Sequence, residues 1–596
     1  MDHARFLLIG AVGYGPEVRM GDTHPRNHVV LCLAMIVVPV GTAPAIGQVE
    51  FVEVGASRGI EPYCMASGMG GGVAAADFDD DGDIDLFVPN GLGVPDQLYR
   101  NTGDGRFEEI AAAVGLASTA SNRCALWLDY DGDHDLDLLV AGDCWHAIGK
   151  CADGTSLRLY RQDDDGLFED VTVQAGLFGQ WLTPDFTHAA GLCAGDLNND
   201  GFLDVVLSGW DARLRLFINN TDGSFRETAA RSGIGDVERL YWQPVMADFN
   251  GDGLLDLFVL VDFAANVLFV NQGDATFLEA AGPAGLDNAM NDMGVTIGDY
   301  DNDGDPDLYI TNIYQDSGGV QQHNVLYRND SAGDVLSFTD VSGPAGVSNG
   351  YWGWGTTFLD ADNDGMLDIA ATNGWFGAAW INDPSRLFRN AGGDPVVFDD
   401  VSEQVHFDDT NFGSSLIGLD YDRDGDLDLL QTCVNGPLRL LDNRPVAPAA
   451  QNRYLVVRPR MPGPNHRAIG AVVRISTDDA SMMRLVGAGT SFLGQEPAEA
   501  FFGVGEAVWA RTVCIHWPDG SHRALAGVAT NQVLTVQADG NPADMNGDQT
   551  IGIVDFLLLL AAWGACPDAS HPCAGDLDGD GSVGVLDMHA LLTDWG

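Results

Sequence analysis

The chain has little positive charge. Across 596 residues there are 29 Lys plus Arg against 87 Asp plus Glu, a formal charge of −58, and a single lysine, Lys150. No basic patch is available to meet a phosphate backbone or an anionic bilayer, which excludes nucleic acid and anionic membrane surfaces as partners. Long apolar runs are also missing. The longest, Val29–Val40, has 12 residues and Phe556–Ala562 has seven, whereas a membrane span needs about 20. Catalytic patterns are scarce: there is no HExxH zinc motif and no phosphate-binding P-loop. Carboxylates are too numerous to single out an acid–base pair, and His134, His146, His188 and His323 are scattered. No catalytic residue is therefore assigned. The hydrophobic share of 45% is nevertheless high enough to build a core.

Val29–Val40 is followed by the small residues Thr42, Ala43 and Ala45, with Arg19 and Arg26 ahead of it. This reads as an export leader over residues 1–47, with the signal at about 20–47; a buried strand is the other reading. Export places the cysteines in an oxidising compartment. Cys32 falls in the leader. Cys144 with Cys151 and Cys566 with Cys573 bracket short loops that disulfides could close, while Cys64, Cys124, Cys193, Cys433 and Cys514 cannot be paired from sequence.

The acids concentrate in a nine-residue loop that occurs seven times, starting at Asp77, Asp129, Asp196, Asp248, Asp299, Asp360 and Asp420. Spacings of 51–67 residues suit one propeller blade per copy. Positions 1, 5 and 9 are Asp throughout, position 3 is Asp or Asn, and position 6 is Gly except at His134. Alternating oxygens on a tight turn converge on a hard cation such as Ca²⁺, which takes 6–8 oxygens. The candidate ligands are side chains at positions 1, 3, 5 and 9 and the position-7 carbonyl. They are Asp77, Asp79, Asp81, Asp83 and Asp85; Asp129, Asp131, Asp133, Asp135 and Asp137; Asp196, Asn198, Asp200, Phe202 and Asp204; Asp248, Asn250, Asp252, Leu254 and Asp256. The remaining loops supply Asp299, Asp301, Asp303, Asp305 and Asp307; Asp360, Asp362, Asp364, Met366 and Asp368; Asp420, Asp422, Asp424, Asp426 and Asp428.

Each loop lies between a small, apolar strand (Gly72–Ala76, Val295–Ile297) and a hydrophobic one (Leu86–Val88, Leu257–Val259). A strand such as LYRN (Leu98–Asn101) and a Phe-centred strand such as RFEEI (Arg106–Ile110) follow, and most units close with a Gly-aliphatic pair such as Gly115–Leu116. Four short strands per unit make a β-propeller. The last unit lacks its Phe strand, and Phe51–Val54 carries that pattern with no unit before it, so Phe51–Val54 is expected to complete blade seven and cover its edge. These motifs resemble the FG-GAP repeats of the integrin alpha-subunit propeller over about residues 50–445. The resemblance implies a seven-bladed ring with Ca²⁺ in the turn between the first two strands of each blade.

Residues 452–537 break the repeat with alternating strands. NRYLVV from Asn452, IGAVVRI from Ile469, FFGVGEA from Phe501, WPDG at Trp517–Gly520 and NQVLTV from Asn531 resemble the ASPIC/UnbV module, which implies no chemistry. Pro518-Asp519-Gly520 reads as a hairpin turn and His516 as a strand residue. Two 12-residue loops follow, with ligand candidates Asp544, Asn546, Asp548, Thr550 and Asp555, then Asp576, Asp578, Asp580, Ser582 and Asp587. Each leads into an apolar stretch, a loop-helix unit of EF-hand type. The tandem resembles a dockerin, which implies a cohesin-like partner; Gln549 in place of Gly and the pairs Ile553-Val554 and Val585-Leu586 depart from the pattern. A Ca²⁺-stapled cap with no such partner is the other reading.

The expected architecture is mainly β. It comprises residues 1–47 as leader, 48–445 as a seven-bladed β-propeller, 446–541 as a small β domain and 542–596 as a paired EF-hand-like helical domain. On the blade face away from the acidic loops stand Trp145, Trp181, Trp210, Trp242, Trp352, Trp354, Trp375 and Trp380, with Tyr63, Tyr241, Tyr314 and Tyr351. They serve either as exposed anchors for a protein or glycan or as packing between blades. The expected function is a secreted, non-enzymatic calcium-binding protein that mediates protein or glycan adhesion. The alternative is a polysaccharide-active extracellular enzyme or its accessory subunit.

Overall fold

The structure is a computed structural model. It describes residues 48–60, 70–142, 157–178, 189–235, 237–317, 320–333, 335–376, 380–446, 451–547, 550–566, 573–577, 581–593 and 595. The expected leader, Cys64, Cys144, Cys151, Tyr63, Trp145, Trp181, His146, His188, Asp548, Gln549, Asp578 and Asp580 lie outside the described residues.

Among the described residues the acidic repeats form seven four-stranded antiparallel units in a propeller-like repeat fold. The first is Val73–Ala76, Asp85–Val88, Gln97–Asn101 and Phe107–Glu109, with Leu86 opposite Tyr99 and Tyr99 opposite Glu109. The second strands are buried on both faces, as Leu86, Phe87 and Val88 illustrate, which explains their continuous apolar runs. Unit 7 takes its fourth strand from the start of the chain: Gln48–Glu53 pairs with Arg439–Val446, and Phe51 lies opposite Asn443. Phe51–Val54 therefore does cover the edge of the last unit.

A short helical turn follows the fourth strand in units 7, 1, 3, 4 and 5, as at Ala111–Val114, and a left-handed glycine ends it. A Cβ at Gly115 would stand 2.8 Å from the Phe168 carbonyl oxygen of the next unit. The Gly-aliphatic pairs thus mark the places where consecutive units touch.

The ASPIC/UnbV-like segment folds as two sheets. One holds Tyr454–Arg460 between Ala500–Gly503 and Gln532–Gln537; the other runs through Ser481–Leu485, Val472–Ser476, Trp509–His516 and His522–Ala529. His516 is a strand residue opposite His522, with the expected turn between them. One segment of this module, residues 486–499, enters the axis of the repeat fold and bonds the first strand of every unit. Val73 and Ala74 pair with Gly494 and Gln495. Gln495 exchanges two hydrogen bonds with the Trp127 backbone. The Ala194 amide donates to Ala488, the Leu493 amide donates to Gln243 Oε1, and Ser491 and Val295 exchange backbone bonds. The amides of Thr356 and Leu416 both donate to Ser491 Oγ. Phe492 is fully buried at the tip, edge-on to Trp242 and Trp354 with ring centres 5.2 and 5.1 Å away.

At the C-terminus two nine-residue helices, Ile553–Ala561 and Val585–Thr593, enclose a small core of Met545, Leu559, Val583 and Leu591. Strands Gly564–Ala565 and Ser582–Val583 pair, and Cys566 and Cys573 form the expected disulfide. Cys124, Cys193, Cys433 and Cys514 are free thiols, the first three buried. No described helix is long and apolar enough to cross a membrane.

Candidate metal sites

The seven loops share one hydrogen-bond pattern, which follows from their sequence. Position 6 has a left-handed backbone in every copy, and Gly supplies it at no steric cost, as at Gly304 (φ 98°). His134 adopts φ 80° there and stacks its ring on His466 of the C-terminal β module, centroids 4.7 Å apart. Position 4 is left-handed too, filled by Asp80, Gly132, Asn199, Gly251, Asn302, Asn363 and Arg423; its residue types vary too much for the repeat to reveal this. The position-6 amide donates to the position-1 carboxylate in each loop, as Gly425 does to Asp420 Oδ2 at 3.1 Å. The position-7 amide donates to the position-5 carboxylate, as Met366 does to Asp364 at 3.0 Å.

Position 9 carries a second role that its invariance alone does not disclose. One oxygen accepts from the position-2 amide of its own loop. The other accepts from the amide of an Asn or Gln on the third strand, the last residue of that strand in units 1 to 6. These seven carboxylates are almost wholly buried. The side-chain amide of that same Asn or Gln donates to the position-2 carbonyl of the preceding unit. Asn219 bonds Tyr130, Asn271 bonds Leu197, Asn390 bonds Tyr300 and Asn443 bonds Ala361. Gln162 bonds Phe78, Asn329 bonds Phe249, and Asn101 of unit 1 bonds Tyr421 of unit 7 at 2.7 Å. The loop thus braces its own sheet and its neighbour.

Three carboxylates converge in five loops, with one oxygen from each within 4.8 Å of the others: Asp77, Asp79 and Asp85; Asp129, Asp131 and Asp137; Asp299, Asp301 and Asp303; Asp360, Asp362 and Asp364; Asp420, Asp422 and Asp428. In loops 3 and 4, Asn198 and Asn250 stand at position 3. Burial opposes the charged form. It pushes Asp85 up to about 9, Asp420 to about 8, and Asp256 and Asp299 to about 7. Oxygens of Asp77, Asp131, Asp301, Asp362, Asp420 and Asp422 are buried with no hydrogen-bond partner. Buried acceptors of this kind are costly unless satisfied, and a divalent cation satisfies several at once. The residues therefore fit a hard, oxygen-seeking ion.

The 12-residue loops repeat the logic. Asp555 Oδ1 accepts from Met545 and Oδ2 from Gly552; Asp587 does the same with Leu577 and Gly584. Each caps the helix that its loop enters.

The C-terminal β module lies on the loop face through arginines. Arg467 donates to the Asp77 carbonyl, Arg458 to Gly82 and Arg474 to Gly304. Glu499 is held below the usual carboxylate range by Arg423 and Arg458, which outweigh its burial. On the far face the two readings of the aromatics divide residue by residue. Trp242, Trp354 and Tyr241 are buried, the two tryptophans because Phe492 seals them from within. Trp352, Trp375 and Trp380 are half-buried, with Trp375 stacked on Trp352 and Trp380 edge-on to it, beside an exposed Phe376.

One serine pattern escapes a motif reading aimed at metal loops. G-x-S-x-G is spelled twice, by Gly346-Val347-Ser348-Asn349-Gly350, which follows the helical turn Ser342–Ala345 of unit 5 without a strand-to-helix elbow, and by Gly55-Ala56-Ser57-Arg58-Gly59. The structure gives neither a hydrolase context. The second forms the helical turn after the fourth strand of unit 7, and Ser57 Oγ donates to the Val54 carbonyl.

Comparison with known proteins finds two families in the chain. Residues 77–140, 196–259 and 248–310 match the FG-GAP-like repeat, and residues 461–543 match ASPIC and UnbV. Cartilage acidic protein 1 of Mus musculus is 23% identical over 492 residues, 78% of this chain and 73% of that protein. The Homo sapiens protein is 24% identical over 78% of this chain and 71% of its own length. A solved structure, "Crystal structure of BBS1N in complex with ARL6DN, soaked with lead", aligns at TM-score 0.37 and 9% identity over 66% of this chain and 96% of that one, too slight a likeness to argue from. The chain carries FG-GAP-like repeats followed by an ASPIC/UnbV domain and is homologous to cartilage acidic protein 1.

Proposed function

We propose that this is a secreted, non-enzymatic adhesion protein built on a closed seven-bladed propeller with Ca²⁺ in its loops. The observation that carries the reading is the set of buried, partnerless carboxylate oxygens at positions 1 and 3 of loops 1, 2, 5, 6 and 7. The cross-unit amide bonds that run from Asn101 and Tyr421 around to Asn443 and Ala361 support closure. The expected ions also account for the charge: 38 of the 87 acids fall in the nine loops. Two carboxylates about 4 Å apart repel by roughly 4 kcal/mol at an effective dielectric of 20. Chelation is therefore expected to lower the melting temperature sharply. An unchanged melting curve in excess chelator, with no calcium found by elemental analysis, overturns the metal reading.

The axis is filled by residues 486–499, so a ligand meets the outer face instead, at the clustered Trp352, Trp375 and Trp380. Aromatic anchors of this kind suit a protein or a glycan. The C-terminal loop-helix pair exposes Val554, Leu557 and Leu560 on one helix and Val585, Leu586 and Leu592 on the other, and serves as an assembly surface for a cohesin-like partner. A glycan array probed with the full chain tests the ligand face. Binding without product supports adhesion, and sugar release sinks the non-enzymatic reading.

A further inference from the structure

The residue before the bracing Asn or Gln of each third strand differs from unit to unit, and it tracks position 3 of the loop. Where position 3 is Asp79, Asp131, Asp301 or Asp362, the strand carries Arg100, Arg161, Arg328 or Arg389. Where position 3 is Asn198 or Asn250, it carries Ile218 or Val270. Arg389 shows the contact directly: Nε lies 2.9 Å from Asp362 Oδ2 and Nη2 3.2 Å from Asp364 Oδ2. Arg100, Arg161 and Arg328 bond Glu108, Glu169 and Asp330 while remaining within electrostatic reach of their loop acids. Unit 7 inverts the position, with Asp442, and supplies the cations from elsewhere: Arg58 lies 3.1 Å from Asp422 and Arg444 bonds Asp442.

Counted over positions 1, 3, 5 and 9 with these flanking residues alone, each unit carries −3, to which loops 1, 5, 6 and 7 add Arg467 and Arg458 at Asp77, Arg484 at Asp299 and Asp360, and Arg423 at Asp420. Units 1, 2, 5 and 6 hold four aspartates and one arginine. Units 3 and 4 hold three aspartates and no arginine. Unit 7 holds five aspartates and two arginines. The buried, partnerless oxygens of Asp362 and Asp420 mark these as built cation sites rather than solvated acids.

We propose that Arg389 and its counterparts set the metal affinity of the loops, each offsetting the extra carboxylate at position 3 of its own loop. Arg389 occupies the Asp362 and Asp364 oxygens that a cation needs, so it acts as a positioning residue that weakens site 6. The inference rests on the calcium reading of the loops.

The test is hydrogen exchange on the full chain, following the calcium midpoint at which the peptide spanning residues 360–368 becomes protected. Arg389→Ile is expected to lower that midpoint about tenfold or more, because it removes a full positive charge next to the ion. The double variant Asp362→Asn/Arg389→Ile, which copies the Asn and aliphatic pair of unit 3, is expected to return it to within about threefold of wild type. In loop 3, Asn198→Asp should lower the midpoint of the 196–204 peptide, and adding Ile218→Arg should restore it. A single-variant midpoint within twofold of wild type, or a double variant displaced as far as the single, overturns the proposal while leaving calcium binding intact. Should Arg389→Ile fail to fold, the loop 3 pair decides by the same criteria. If no loop peptide of the wild type gains protection with calcium, the metal reading falls and this inference falls with it.

Discussion

The Phe492→Ala substitution probes the segment that fills the axis. Phe492 is fully buried, edge-on to Trp242 and Trp354, with the Arg123 guanidinium 5.8 Å from its ring centre. Truncating a buried Phe costs about 3–5 kcal/mol through lost transfer energy and the cavity left behind. The two aromatic pairs account for about 0.5–1.5 kcal/mol each within that figure. The surrounding strands are tied to residues 486–499 by backbone bonds, so the site cannot collapse and the upper part of the range applies, about 4 kcal/mol. Phe492→Leu keeps most of the volume and should lose about 1.5 kcal/mol or less. Urea unfolding followed by tryptophan emission measures both, since Trp242 and Trp354 report on the same cavity. A loss below about 1.5 kcal/mol for Phe492→Ala would show that the axis does not depend on its plug.

Gly72→Ala would place a Cβ 1.7 Å from the Leu493 carbonyl oxygen, so the first strand of unit 1 must part from the axial segment. A loss of about 1–3 kcal/mol is expected, against little change for Gly343→Ala, which meets open space. Asp256→Asn leaves the Phe249 or Asn271 amide facing an NH₂ group and should cost about 1–3 kcal/mol in urea unfolding even at saturating calcium. Asp96, which accepts from the Asn90 amide and Asn122 Nδ2, is pushed by burial up to about 8. Its folded pKa exceeds the unfolded value of about 3.9, so its contribution is complete below pH 4 and is lost as pH rises toward 8. Asp96→Asn should flatten the decline in melting temperature over that window, and an unchanged slope counts against the assignment.

The features legible in the sequence are those with a local period. The seven loops announce themselves because convergent oxygens need fixed spacing, and Phe51 could be placed in unit 7 because a missing fourth strand leaves a countable gap. The Cys566–Cys573 disulfide and the turn at Pro518-Asp519-Gly520 are short-range as well. The axial segment had no such signal: Gln495 and Trp127 are 368 residues apart, and a single insertion has no period. That omission also left the aromatics open between anchor and packing, because one of the groups that bury Trp242 and Trp354, Phe492, belongs to another module. The bracing role of position 9 stayed hidden for a different reason, since an invariant Asp in an acidic loop is equally consistent with a ligand and a brace. Only the two opposed amides at Asp85, Asp137 and their equivalents distinguish them.

The unit that closes the repeat combines the beginning of the chain with its late middle, and the segment that fills the axis is made later still. On a ribosome, Gln48–Glu53 emerges roughly 20–80 s before its partner Arg439–Val446 at about 5–20 residues per second. Val73, Val295 and Leu416 then await residues 486–499. The repeat array therefore cannot finish unit by unit in the order of synthesis. A nascent chain stopped anywhere before residue 499 presents unpaired strand edges and an unfilled axis, and the C-terminal β module serves as the completion step for everything translated before it.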